Sequence, residues 1–190
     1  MAGDGPVAYS QAARPGGFPL ALRLDAGRLV LESGMRRDEV ALGAVEVVRL
    51  TYETRSLAGR AFQTSLRARG GRRIRFTSVS WRSMTRVEEQ AGAYRAFLLA
   101  LLPAIARQNP SARFLAGKPA PVWYAVAALA ALAAAGVGLF IGRAFGAGQW
   151  GAGLFGLAVA AGGTWQVAPF ILRNRPRVFT PDALPADLLP

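Results

Sequence analysis

Five arginines crowd one short stretch of the chain: Arg67, Arg69, Arg72, Arg73 and Arg75 flank the pair Gly70-Gly71. Guanidinium stays charged at physiological pH and presents a planar fork of five donors, which fits a phosphate or carboxylate through two parallel hydrogen bonds. The chemistry open to this cluster is therefore anion binding. Anionic lipid headgroups are the ligand it suggests, and a plain solvated sheet face is the alternative. Arg36, Arg37 and Arg60 add positive charge elsewhere. Nucleic acid is not expected as a partner, because no aromatic stacking motif accompanies the cluster.

Catalytic chemistry has little to work with. The chain contains no histidine and no cysteine, which removes the commonest general base, the usual nucleophilic triads, zinc sites and disulfides. Gly117-Lys118 lacks the rest of a phosphate-binding P-loop and is followed by Pro119, and Gly136-Val137-Gly138 has no strand before it. Glu88 and Glu89 fall at an expected helix N-terminus, where negative charge is favoured by the dipole. No catalytic residue, metal or cofactor is expected, and the chain does not read as an enzyme.

The arginine cluster must be held by strands. Residues 18–25 and 28–32 alternate apolar and polar around Asp25-Ala26-Gly27, and residues 45–54 (VEVVRLTYET) put Val48, Leu50 and Tyr52 on one face. Residues 62–68 and 73–78 flank the glycine pair. Phe62, Thr64, Leu66 and Ala68 share one face of the first strand, and Ile74 and Phe76 share one face of the second. A two-residue loop would set Leu66 opposite Arg75, whereas a three-residue loop with a left-handed glycine keeps the apolar faces together. Arg67, Arg73 and Arg75 then line the opposite face. About five strands are legible in this way, with a loop at Leu57-Ala58-Gly59. A helix follows, opened by the capping box Thr85-Arg86-Val87-Glu88 and carrying Val87, Ala91, Tyr94, Leu98, Leu101 and Ile105 on one stripe. Pro103 is expected to end it at Leu102 or kink it.

Arg28-Leu29-Val30-Leu31, Gly34 and Val40-Ala41-Leu42-Gly43-Ala44-Val45, with the helix AYRAFLLALLPAIA after them, resemble the core of bacterial membrane-associated pleckstrin-homology-like (PH-like) domains. The resemblance covers about residues 18–108. It implies an α+β fold, an antiparallel PH-like sheet closed by one C-terminal helix.

The rest of the chain is of another kind. Residues 1–118 hold 19 of the 23 basic and 9 of the 11 acidic side chains, whereas residues 122–172 hold a single charge, Arg143. Two runs, 122–141 and 150–172, are free of charge and long enough to cross about 30 Å of hydrocarbon as helices. They are expected to form a transmembrane hairpin, with Trp123, Tyr124, Trp150 and Trp165 near the span ends. Arg107, Arg113 and Lys118 precede it and Arg173, Arg175 and Arg177 follow it, so both termini are expected in the cytoplasm, at the inner membrane of a bacterium. Ala130, Ala134, Gly138 and Gly142, and then Gly148, Ala152, Gly156 and Ala160, recur every fourth position. Such stripes let helices approach closely, within the hairpin or toward a second copy or a partner protein. Pro169 is expected to kink the second span.

The remaining segments are a disordered leader at residues 1–17, a linker at 109–121 and a Pro-rich cytoplasmic tail at 173–190. The tail is expected to be solvated, with docking of Val178, Phe179 and Leu184 on a sheet edge or a partner as the alternative. The function expected from all this is a non-enzymatic, membrane-anchored scaffold or protein-interaction module. An anionic-lipid sensor and an accessory subunit of a larger membrane complex are the alternatives.

Overall fold

The alternating segments become strands as their patterns require. The structure is a computed structural model, and it describes residues 7–12, 18–54, 60–81 and 87–190. It divides into two units, residues 1–117 with 177–190, and residues 118–176.

The first unit is α+β. Strands β1 (Ala8–Gln11), β2 (Leu20–Asp25), β3 (Arg28–Ser33) and β4 (Arg36–Ala41) form an antiparallel sheet in chain order. The β2–β3 turn has only Ala26 and Gly27 between the paired Asp25 and Arg28, with φ of 38° and 80°. Two consecutive positive φ values suit the twist of a tight hairpin. A 3-10 turn, Leu42–Ala44, leads to β5 (Val45–Thr54), β6 (Arg60–Ala68) and β7 (Arg73–Thr77). Leu66 pairs with Ile74 across a three-residue loop, Arg69–Gly71, in which Gly70 has φ of 79°. That is the loop length and the left-handed glycine that the facing of the apolar residues requires. A short hairpin of β8 (Val79–Trp81) and β9 (Val87–Glu89) precedes α1 (Ala91–Gln108).

α1 drives Tyr94, Phe97, Leu98, Leu101, Leu102 and Ile105 into the core. There Tyr9, Phe76, Tyr94 and Phe97 meet in tilted or edge-on pairs, with ring centroids 5.7–6.0 Å apart. Side chains join β1 to β7: the Tyr9 hydroxyl donates to the Thr77 carbonyl, and the Gln11 amide donates to the Thr77 hydroxyl at 2.7 Å.

Several expectations are corrected here. The segment read as a disordered leader contributes β1, because Tyr9 is 2% exposed and fills the aromatic core; residues 1–6 and 13–17 lie outside the described residues. The capping box does not open the helix. Val87–Glu89 is a strand and α1 begins at Ala91 without a side-chain cap, while Thr85, Arg86 and the loop at Leu57-Ala58-Gly59 lie outside the described residues. Pro103 neither ends nor breaks α1, which runs on to Gln108. Its ring removes one backbone hydrogen bond, from the carbonyl of Leu99, and Leu99 is half exposed, so water is available to that carbonyl.

The single closing helix is also incomplete as a description. The supposed linker contains β10 (Arg113–Ala116), which lies parallel to β5. The tail is not simply solvated, because β11 (Arg177–Val178) pairs antiparallel with β10 and completes the order β11-β10-β5-β6-β7. Phe179 and Leu188 are buried in the core, and Phe179 stacks edge-on against Phe114 at 5.8 Å. Val178 stays exposed.

The second unit is a helical hairpin of α2 (Ala120–Gly146, 27 residues) and α3 (Trp150–Arg173, 24 residues). Both helices are long and apolar enough to cross a membrane. α2 is longer than its charge-free run and takes in Arg143, and α3 runs through Pro169 to Arg173. At the open end the Trp123 indole donates to the Ile171 carbonyl at 2.8 Å, and the Lys118 amide donates to the Asn174 carbonyl at 3.0 Å. At the closed end the Phe145 and Trp150 rings meet at 5.4 Å.

Candidate functional site

The register of the second sheet decides which arginines meet. One rung across it reads Arg113, Val47, Arg67, Arg73, and the next reads Leu115, Arg49, Ser65, Arg75. These residues alternate with Val48, Leu66, Ile74 and Phe114, all buried in the core, so they share the outer face. Laterally paired residues on one face lie about 5 Å apart. Arg49, Arg67, Arg73, Arg75 and Arg113 are thus gathered on two adjacent rungs that contain no acid. The nearest acids on β5 are Glu46, in the β-bulge beside Val47 and 3.8 Å from Arg69, and Glu53, which pairs two rungs beyond Arg49 with Ala61.

Arg67, Arg73, Arg75 and Arg113 are exposed and form no ion pair among the described residues. Arg49 is half-buried and donates to the Gly117 carbonyl at 2.9 Å. Burial lowers its pKa below arginine's ordinary value, and the like charges of Arg113 and Arg67 lower it further. All three causes disfavour a bare cation, and a bound anion would relieve the two that are electrostatic repulsion. The arrangement can hold anions by charge and by guanidinium donors that are not all engaged among the described residues.

Of the five arginines singled out in the sequence, Arg67, Arg73 and Arg75 come together on this face. Arg69 and Arg72 sit in and beside the β6–β7 turn and are partly neutralised there, Arg69 at 3.8 Å from Glu46 and Arg72 at 2.7 Å from Asp38. Arg36 and Arg37 lie on β4, with Arg37 at 3.6 Å from Glu39. Two members of the face escaped the sequence reading. Arg49 was visible as the outward residue between Val48 and Leu50, but its neighbours were not. Arg113 falls within the expected linker, residues 109–121, where no strand pattern is legible.

The small-residue stripes divide between two environments. Ala130, Ala152 and Ala160 are half-buried, Gly156 is fully buried, and Ala134, Gly138, Gly142 and Gly148 are exposed. The close approach is made at Gly153 and Gly156. A β-carbon on Gly156 would come within 2.7 Å of Ile141, and one on Gly153 within 2.5 Å of Phe145, whereas Gly138, Gly142 and Gly148 have open space. The four-residue spacing drifts off the buried face of α2, which follows steps of seven, four and three through Ala130, Val137, Ile141 and Ala144.

No family model, no curated protein and no solved structure matches the chain.

Proposed function

We propose that this chain is a membrane-anchored PH-like module, acting as a non-enzymatic scaffold or protein-interaction element on the cytoplasmic face of a bacterial inner membrane. The observation that carries the reading is the way the hairpin is inserted. The chain leaves the folded sheet after β10 at Gly117 and returns at Arg177 to pair with that same strand, Leu115 with Val178 and Ala116 with Arg177. A segment spliced between two paired strands has both ends in one folded domain, and hence on one side of a bilayer. The basic flanks support the cytoplasmic side: Lys118, Arg173 and Arg175 stand at the open end, against Arg143 alone near the loop. The PH-like part of the reading is supported by a meander of four strands followed by one of three, with α1 across the core. The β8–β9 hairpin and the strands β10 and β11 are additions to that plan.

The test is retention and co-purification of the full chain from native membranes. The reading predicts that it stays in the pellet through an alkaline carbonate wash, and that a protein partner follows it through mild detergent in fixed ratio. Release by the wash would overturn the anchor. Recovery of this chain alone from every mild detergent would overturn the scaffold.

A further inference from the structure

We propose that the outer face of β10–β5–β6–β7 seats the phosphate groups of anionic phospholipids, in the leaflet that the hairpin enters; the inference rests on the anchor reading above. Five guanidiniums occupy two adjacent rungs without a carboxylate among them, and four of the five are exposed and unpaired among the described residues. Arg49 spends one donor on Gly117, and a guanidinium has five.

Three observations favour lipid over other polyanions. The first is tether length. Only Lys118 and Pro119 separate Gly117 from α2, and only three residues separate α3 from β11. These short connectors attach directly to β10 and β11, the strands that carry Arg113 and the rim of the face. The second is the rim of the face. Leu115 and Val178 pair beside Arg49, and Val178 is 73% exposed. An apolar edge next to cations suits the boundary between acyl chains and headgroups. The third is the absence of aromatic rings from both rungs, which leaves a nucleic acid nothing on which to stack a base.

The test uses the full chain in a neutral maltoside detergent, titrated with a short-chain phosphatidylglycerol. The chain has no cysteine, so Gln63→Cys places a single environment-sensitive fluorophore on the same outer face. The proposal predicts a saturable response that weakens with added salt and no response to short-chain phosphatidylcholine. Arg67→Gln, Arg73→Gln and Arg75→Gln should each weaken binding about fivefold, and together about a hundredfold. Arg36→Gln, off the face, should leave it unchanged. Thermal unfolding of the triple variant checks its fold; if it fails to fold, the single Arg75→Gln variant carries the comparison. Equal response to the two lipids would overturn the proposal, as would wild-type affinity in the variants or tighter binding of a single-stranded oligonucleotide. Because binding is read in micelles, its failure leaves the carbonate-wash result standing, and release by that wash leaves this result standing.

Discussion

Tyr94 and Arg49 lie on opposite faces of the same sheet, and each is governed by what surrounds its polar atom. The Tyr94 hydroxyl is buried and shares a 2.6 Å hydrogen bond with the Thr64 hydroxyl. Burial pushes its pKa, and that of Tyr9, well above the ordinary 10.0. A folded-state value above the unfolded one means that the unfolded chain loses its proton first as pH rises. Stability from these phenols is therefore full below about pH 10 and falls above it, by about 1.4 kcal/mol per pH unit for each tyrosine. Absorbance at 295 nm should show Tyr9 and Tyr94 ionising only as the fold is lost, and Tyr94→Phe should reduce the alkaline slope by about half. Phe at position 94 also leaves the Thr64 hydroxyl without its partner, at about 1–3 kcal/mol near neutral pH. On the outer face, Arg67, Arg73 and Arg75 could be placed from sequence because facing alternates and the glycine turn fixes the register. Arg49 joins them through the β5–β6 pairing with Ser65, whereas Arg113 joins them only through the β10–β5 pairing, which links residues more than sixty positions apart and leaves no local signal.

At the scale of elements, the least legible pieces are the short strands that depend on distant partners. β1, β10 and β11 have 4, 4 and 2 residues, too few for periodicity to speak. Each is held by a buried aromatic, Tyr9, Phe114 or the adjoining Phe179. Phe179→Ala should destabilise the first unit by about 3 kcal/mol, seen as a lower denaturation midpoint and lost hydrogen-exchange protection at residues 113–116. Unchanged protection there would mean that the tail is not part of the sheet. The helices were easier to find, because charge-free runs of bilayer length have few other uses, although their contact face was not evident from the four-residue stripes. Gly156→Leu should force α2 and α3 apart at Ile141, costing about 1–3 kcal/mol in a thermal melt of the detergent-solubilised chain. Gly138→Leu, with open space around it, should carry no such cost.

For the whole molecule, the sequence shows two kinds of chain, a charged region and a hairpin with a single charge within residues 122–172, and suggests that they follow one another. The connectivity is more interlocked, since residues 177–190 return to the unit formed by residues 1–117. The charge break could not reveal this, because a solvated tail and a docked one have the same composition. If the hairpin crosses a membrane as proposed, its splicing between the paired strands β10 and β11 requires both of its ends to lie on one side. The most direct test is accessibility of single cysteines, introduced into this cysteine-free chain, to a membrane-impermeant maleimide. Met35→Cys marks a fully exposed turn of the first unit, Asp182→Cys the returned tail and Gln149→Cys the loop between the spans. In intact spheroplasts only Gln149→Cys should react, and the other two should react only after the membrane is opened. Labelling of Met35→Cys or Asp182→Cys in intact spheroplasts, or protection of Gln149→Cys, would contradict the account.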